Sequence, residues 1–216
     1  LQNVAQYVRR GGAVLTAVGP DFATPISLSR TALGAILPSQ PTGEVQEIGF
    51  RPMPTDKGRR HPVTATLTGI GDKGEAPAWG RWFRQIGVTG VKGDVLLRGA
   101  ANGPLLITAR IDNGRVAQLL SDHAWLWTRG FEGGGPQAEL LRRIAHWLMQ
   151  EPDLEEEDLR ARANGNQLLI QRRSLTPASG AVQVTTPSGE VRSITLKDNS
   201  RGLEVGALAV AEPGLY

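Results

Sequence analysis

An α/β sheet flanked by helices, followed by a partial antiparallel β-sandwich, is the fold predicted by this 216-residue sequence. Three observations predict it. Near the start, an amphipathic segment stops at Gly11-Gly12, runs into the apolar stretch Ala13 to Val18 and breaks at Gly19-Pro20-Asp21. Helix, buried strand and glycine loop in that order make half of a doubly wound unit. Next, three strand-like runs between Asp94 and Ser121 precede one amphipathic helix ending at Met149. Beyond Pro152 the hydrophobic period changes to that of half-buried strands. The α/β unit is therefore assigned to residues 1–152, and a linker helix with the sandwich to 153–216.

The elements follow in order. Val4, Ala5, Tyr7 and Val8 give a short amphipathic helix that ends at Arg9-Arg10 and the two glycines. The run Ala13 to Val18 reads as a strand at the centre of a parallel sheet, covered on both faces. Ser27 to Ile36 reads as a helix capped by Ser27 or Ser29, Pro38 to Pro41 as a turn, and Val45 to Arg51 as a strand. In His61-Pro62-Val63-Thr64 the proline forces an extended turn. Asp94 to Arg98, Leu105 to Ile111 and Arg115 to Ser121 are strands, the last two joined through Asp112-Asn113-Gly114, a hairpin signal. From Pro136, which suits a first helical turn, Leu140, Leu141, Ile144, Ala145 and Leu148 share one helix face. The acidic segment Asp153 to Ala163 reads as a connecting helix. Leu168 to Arg172, Ala181 to Thr185, Val191 to Leu196 and Leu203 to Val210 then alternate as short strands of the sandwich.

Composition narrows the chemistry. The chain has no cysteine, which removes disulfides, thiolate metal sites and a cysteine nucleophile. His61, His123 and His146 lie far apart and lack metal-ligand spacing. Through Gln150 there are 17 basic and 11 acidic side chains, and from Glu151 onward 7 and 10, so the two units differ in sign. The arginines come as scattered pairs among acids, which argues against nucleic acid as a partner. No run reaches the roughly 18 apolar residues of a membrane span. The chain opens inside a helix and closes inside a strand, and reads as a piece of a longer protein.

The strand Arg115 to Ser121 ends in Asp122, His123, Trp125, Trp127 and Arg129, at the edge where α/β proteins place ligands. Asp122 and His123 are the one adjacent acid and imidazole, a candidate oriented general base. Neighbours on an extended strand point opposite ways, however, so the two need not share a site. Trp125 and Trp127 would face the same way in an extended chain, and Trp79 and Trp82 form a similar pair. Together they are a candidate aromatic wall for a ligand, or a cover for the sheet edge. Arg81, Arg84 and Arg129 are candidate carboxylate or phosphate ligands, or cation–π partners of the indoles.

A family likeness rests on three pieces: Tyr7 to Leu15 with Gly19-Pro20, the His61-Pro62-Val63-Thr64 turn, and Gly114-Arg115-Val116 through Asp122 to Trp125-x-Trp127. Together they resemble the class I glutamine amidotransferase-like superfamily, above all its non-canonical branch in large bacterial membrane proteins with a double transmembrane segment near the amino terminus. The likeness covers roughly residues 1 to 150. It implies a flavodoxin-like sheet that here lacks its first strands, and a membrane-anchored parent protein whose other parts are the partners. The sandwich would place this portion on the periplasmic side. True amidotransferases carry a cysteine on a tight turn after a buried strand and a late His-x-Glu. The resemblance puts the nucleophile's place near Val18, where an alkyl group cannot attack an amide. No His-x-Glu occurs, and His123, followed by Ala124, is the one relic. Ser121 and Thr16 sit on no Gly-x-Ser-x-Gly elbow.

Three readings result. The first is an amidotransferase-like domain without its nucleophile, needing no cofactor or metal and serving to bind a small molecule or to assemble the parent protein. The second is a hydrolase of another kind, using Asp122, His123 and Arg129 on a substrate held by Trp125 and Trp127. The third is a pure interaction surface at the tryptophan-rich edge.

Overall fold

The fold is given by a computed structural model that describes residues 1–177, 181–210 and 212–216. Helix α1 (Gln2–Arg9) leads into strand β1 (Ala13–Ala17). Three short 3-10 turns follow, then β2 (Gln40–Gln46), β3 (Met53–Pro54) and α2 (Asp56–Arg60). Next come β4 (Gln85–Thr89), β5 (Asp94–Arg98), β6 (Pro104–Ile111) and β7 (Gly114–Leu119). Helices α3 (Trp125–Thr128) and α4 (Gln137–Leu148) end the first unit. The second holds β8 (Asp158–Asn164), β9 (Gln167–Arg173), β10 (Ala181–Thr185), β11 (Val191–Thr195), β12 (Lys197–Asp198) and β13 (Leu203–Ala209).

The class is α/β, built on a mixed five-stranded sheet of order β1-β7-β6-β5-β3. Only β1 and β7 run parallel; the other neighbours are antiparallel. The expectation that Ala13 to Val18 lies at the sheet's centre is corrected: β1 is an edge strand, and Leu15 is 39% exposed. A short apolar run looks the same whether it is covered twice or half covered, which is why pattern alone misplaced it. Val14 packs with Ala5 and Val8 of α1, Leu33 and Ile36, whereas Ala13 meets the cluster on the opposite face.

That opposite face holds the main core, where Leu96, Leu105, Leu106 and Leu119 of the sheet meet Leu140, Ile144 and Trp147 of α4. The β6–β7 hairpin turns tightly, Ile111 pairing with Gly114, and positive φ falls on Asp112 at 51°. Gly114 is needed for another reason. A Cβ there would lie 2.0 Å from the Val8 carbonyl oxygen, so only glycine lets the end of α1 settle on β7.

Several expected elements differ. Ser27 to Ile36 is not one helix but two 3-10 turns, because Ser27 Oγ accepts from Ser29 N at 3.1 Å and Thr31 Oγ1 from Leu33 N at 3.2 Å, each starting a new turn. Instead of turning at Pro38 to Pro41, the chain begins β2 at Gln40, paired with β4, which the pattern missed. The acidic connecting helix is absent. A 3-10 turn at Pro152–Leu154 leads to β8, whose hairpin to β9 turns at Gly165 with φ 56°. Pro213–Tyr216 is not a strand.

The sandwich pairs a four-stranded sheet, order β12-β13-β9-β8, with the β10–β11 hairpin over Ile170, Val184 and Ile194. Arg60 fastens it to the first unit, bonding to Ser174 O at 3.0 Å and pairing with Asp198 at 2.6 Å and Glu204 at 3.4 Å.

Candidate functional site at the carboxyl edge of the sheet

The carboxyl ends of the two parallel strands lie side by side. From β7 the chain continues through Ser121, Asp122 and His123; from β1 it continues through Val18 and Gly19. Gly19 is close enough to the acid that a Cβ would stand 3.0 Å from Asp122 Oδ2. Asp122 Oδ2 accepts from Arg84 Nη1 at 3.1 Å, and Arg84 also pairs with Glu47 at 3.2 Å. The Ser121 hydroxyl donates to Arg84 O at 2.6 Å and accepts from His123 N at 3.0 Å.

His123 and Asp122 do approach each other, but not as a catalytic pair. Nδ1 of His123 accepts the backbone N–H of Phe83 at 3.2 Å, so in the neutral ring the proton sits on Nε2. Nε2 stands 3.8 Å from Asp122 Oδ1, beyond hydrogen-bond reach. A neutral His123 therefore has no lone pair free to take a proton from a substrate. Val18 is buried among Phe22, Leu37, Ile86, Ile107 and Leu120, so its side chain supports the core rather than tipping an accessible elbow.

The four tryptophans that read as an aromatic wall or as a cover for the sheet edge divide three to one. Trp79, Trp82 and Trp127 are core residues: Trp127 lies 5.3 Å from Trp79 and 4.8 Å from Trp82, ring to ring. Trp79 Nε1 donates to Thr68 O and Trp127 Nε1 to Gly80 O, both at 2.8 Å. Trp125 and Trp127 do not face the same way because the segment is a helical turn, which rotates residues two apart by about 200°. Trp125 is exposed at 52% and its ring is 6.3 Å from that of His123. Phe83 continues the surface to Phe131, ring centres 5.5 Å apart. Arg81 is held by Glu132, its Nε 2.9 Å from Oε2, and lies 5.4 Å over Phe83. The bonds from Arg81 lower the Glu132 carboxyl to about 2. Arg129 is exposed and, among the described residues, makes no ion pair.

A second polar cluster escaped the sequence reading. His61, fully buried, accepts Val63 N on Nδ1 at 3.1 Å and places Nε2 3.4 Å from Glu156 Oε1. Trp147 Nε1 donates to the same oxygen at 2.7 Å, and Arg110 binds the other. Arg110 and Arg115 face each other across the β6–β7 ladder, and Glu155 bonds to both. Without it, two like charges in that register would repel. Burial lowers the His61 pKa despite Glu156 beside it. Burial would raise Glu156, yet bonds from His61 and Arg110 hold it well below the usual range. A cavity of about 480 Å³ borders the cluster, lined by Asp94, Thr108, Arg110, Glu155, Glu156 and Glu157 among others. The sequence hint is the acidic run in Asp153 to Ala163, which by pattern reads as a connecting helix. Among the described residues no His, Cys, Asp and Glu group is arranged to hold a metal.

No protein-family model matches the sequence, and no curated protein matches it. Solved structures resemble the fold. The cytoplasmic protein STM3548 from Salmonella typhimurium is 20% identical with a TM-score of 0.54, over 68% of this chain and 59% of that one. The cytoplasmic protein STM1381 from Salmonella typhimurium LT2 is 20% identical with a TM-score of 0.52, over the same shares. A cold-adapted β-galactosidase from Rahnella sp. R3 matches at 11% identity with a TM-score of 0.47, over 96% of this chain and 30% of its own. The chain thus spans 59% of the length of the first two, and what it shares with them is a mixed α/β fold.

Proposed function

We propose that this chain is a class I glutamine amidotransferase-like domain that has no catalytic role and serves to assemble a larger bacterial protein. The observation that carries the reading is the state of His123: one ring nitrogen is taken by Phe83 N and the other faces Asp122 beyond bonding distance. Ser121 is committed to the backbone, Val18 is buried, and the chain has no cysteine. Acyl transfer needs a nucleophile and a base in contact, and neither is available at this edge. Trp79, Trp82 and Trp127 are buried against one another rather than lining an open wall, which weighs against the hydrolase reading.

What the edge offers instead is exposed Trp125 and Phe131, with half-buried His123 and Phe83 next to them, aromatic side chains of the kind that partners cover. The partners in this reading are other parts of a longer, membrane-anchored protein. Among the described residues no helix is long and apolar enough to cross a membrane. Assay of the protein for glutaminase and esterase activity tests the catalytic half: no turnover is expected, and turnover abolished by His123→Ala would defeat it. Capture of the flanking parts of the parent protein tests the other half. Trp125→Ala is expected to weaken capture at least about tenfold, as loss of a hot-spot tryptophan does; unchanged capture would refute the assignment of this surface.

A further inference from the structure

The outer face of the sandwich carries a cluster of arginines. Ile170 of β9 points into the core with Val184 and Ile194, so by alternation Gln171 and Arg173 point away from it. The ladder sets Asp158 of β8 opposite Arg173 and Arg160 opposite Gln171, and Arg162 follows on the same side. Leu203 of β13 flanks Arg173 from its other neighbour. Together with Asp153 these residues line a cavity of about 260 Å³. Its charges are unevenly matched. Arg160 takes both acids, with Nη1 2.6 Å from Asp153 and Nε 2.5 Å from Asp158, and it donates from Nη2 to Pro152 O at 2.7 Å. Asp158 thus serves a residue of its own strand and not Arg173, its partner across the ladder. The guanidinium groups of Arg162 and Arg173 make no hydrogen bond and no ion pair among the described residues. Arg162 is exposed, but Arg173 is half-buried, and burial, followed by the charge of Arg160, lowers its pKa. A partly buried charge without a partner costs free energy, and here the nearest acid is engaged elsewhere.

We propose that this cavity binds a tetrahedral oxyanion, the phosphate or sulfate group of a small ligand, through Arg162 and Arg173. Three arginines against two aspartates leave the cavity one positive charge in excess. Both aspartates are neutralised by Arg160, so the two free guanidinium groups set its preference for an anion. Each guanidinium offers a planar fork of donors that matches two oxygens at once. Two forks on one cavity suit oxygens that point in several directions, as on phosphorus or sulfur, better than the two coplanar oxygens of a carboxylate. Strands added beside the sheets of a two-layer sandwich widen them and leave an outer face outward, so further strands of this unit would not occupy the cavity. The site lies on the second unit and uses neither Asp122 nor His123, so it stands apart from the proposed function.

Titration of the protein with inorganic phosphate, sulfate and acetate at constant ionic strength, followed by the NMR signals of the arginine Nε–H groups, is the test. Saturable binding of phosphate or sulfate that shifts the Arg162 and Arg173 signals is expected, with acetate at least about tenfold weaker. Arg162→Gln and Arg173→Gln are each expected to raise the dissociation constant at least about tenfold. Arg192→Gln, at a residue paired with Glu190 on the β10–β11 hairpin, should leave it unchanged. Tighter phosphate indicates a phosphorylated ligand, and tighter sulfate a sulfated one. A purely structural arginine would behave differently: Arg173→Gln should leave the melting temperature of the unliganded protein unchanged or higher, because it removes a charge that no residue balances. Absence of saturable binding overturns the proposal. So do acetate that binds as tightly, binding that survives both substitutions, and a lower melting temperature in unliganded Arg173→Gln.

Discussion

Trp125 and Trp127, two residues apart on one helical turn, occupy opposite environments: 52% of the first is exposed and 2% of the second. The buried ring contacts both Trp79 and Trp82 and bonds to Gly80 O, whereas the exposed one lies with its centre 6.3 Å from the His123 ring. Trp127→Ala is therefore expected to cost about 3–5 kcal/mol, and Trp125→Ala less than about 0.5 kcal/mol. Urea denaturation compares them. Equal losses would mean that the turn is wrongly oriented.

Glu132 is held by Arg81 through its side chain and backbone N–H, which lowers the carboxyl from 4.5 to about 2. Its native value is depressed, so the stabilising contribution is present above the unfolded value and is lost as pH falls through about 2. Carbon-13 titration of the Glu132 carboxyl should find that low midpoint. In Arg81→Ala the midpoint should return toward 4.5; a midpoint indifferent to Arg81 would contradict the pairing.

His61 has its pKa lowered by burial from 6.5, and Glu156 beside it compensates in part. The unfolded chain thus binds a proton that the native ring resists, so this contribution is intact above 6.5 and declines as pH falls below that value. Denaturation across the acid side should show wild type losing stability more steeply than His61→Gln. Parallel profiles would remove His61 from the account.

Arg60 is nearly fully buried and joins the two units through Ser174 O, Asp198 and Glu204. Replacing one member of a buried pair leaves the other uncompensated, at about 3–5 kcal/mol. Since Arg172 still reaches Glu204 at 3.1 Å, Arg60→Ala should fall at the low end, about 3 kcal/mol. A differential scan should show the sandwich unfolding ahead of the sheet; a single unshifted transition would argue against the contact.

Residues with a strong local period were legible. The stripe of Leu140, Ile144 and Leu148 specified α4, and Asp112-Asn113-Gly114 announced the β6–β7 hairpin, because helix period and turn chemistry are local. The sandwich strands β9, β10, β11 and β13 were legible for the same reason. What failed depends on partners distant in sequence. Whether Ala13 to Ala17 lies inside the sheet or on its rim is decided by which strands pair beside it. Leu159, Ala161 and Ala163 form a strand because β9 lies alongside, not by propensity. At the candidate site, Asp122 and His123 were found, but His123's bond to Phe83 spans forty residues of sequence and left no local mark. The same is true of His61 and Glu156.

The twin arginines at the end of the β6–β7 hairpin also decide where this polypeptide can be divided. By connectivity the cut falls after Gln150, between sheet and sandwich. Such a cut would remove Glu155 and Glu156 and leave Arg110 and Arg115 face to face, with the Trp147 indole stripped of its acceptor and the His61 ring of the carboxylate beside it. A shortened version that keeps residues through Glu157 should stay soluble as an independent body, whereas one that ends at Gln150 should not, because the short acidic tether is as much a part of the sheet as its strands are.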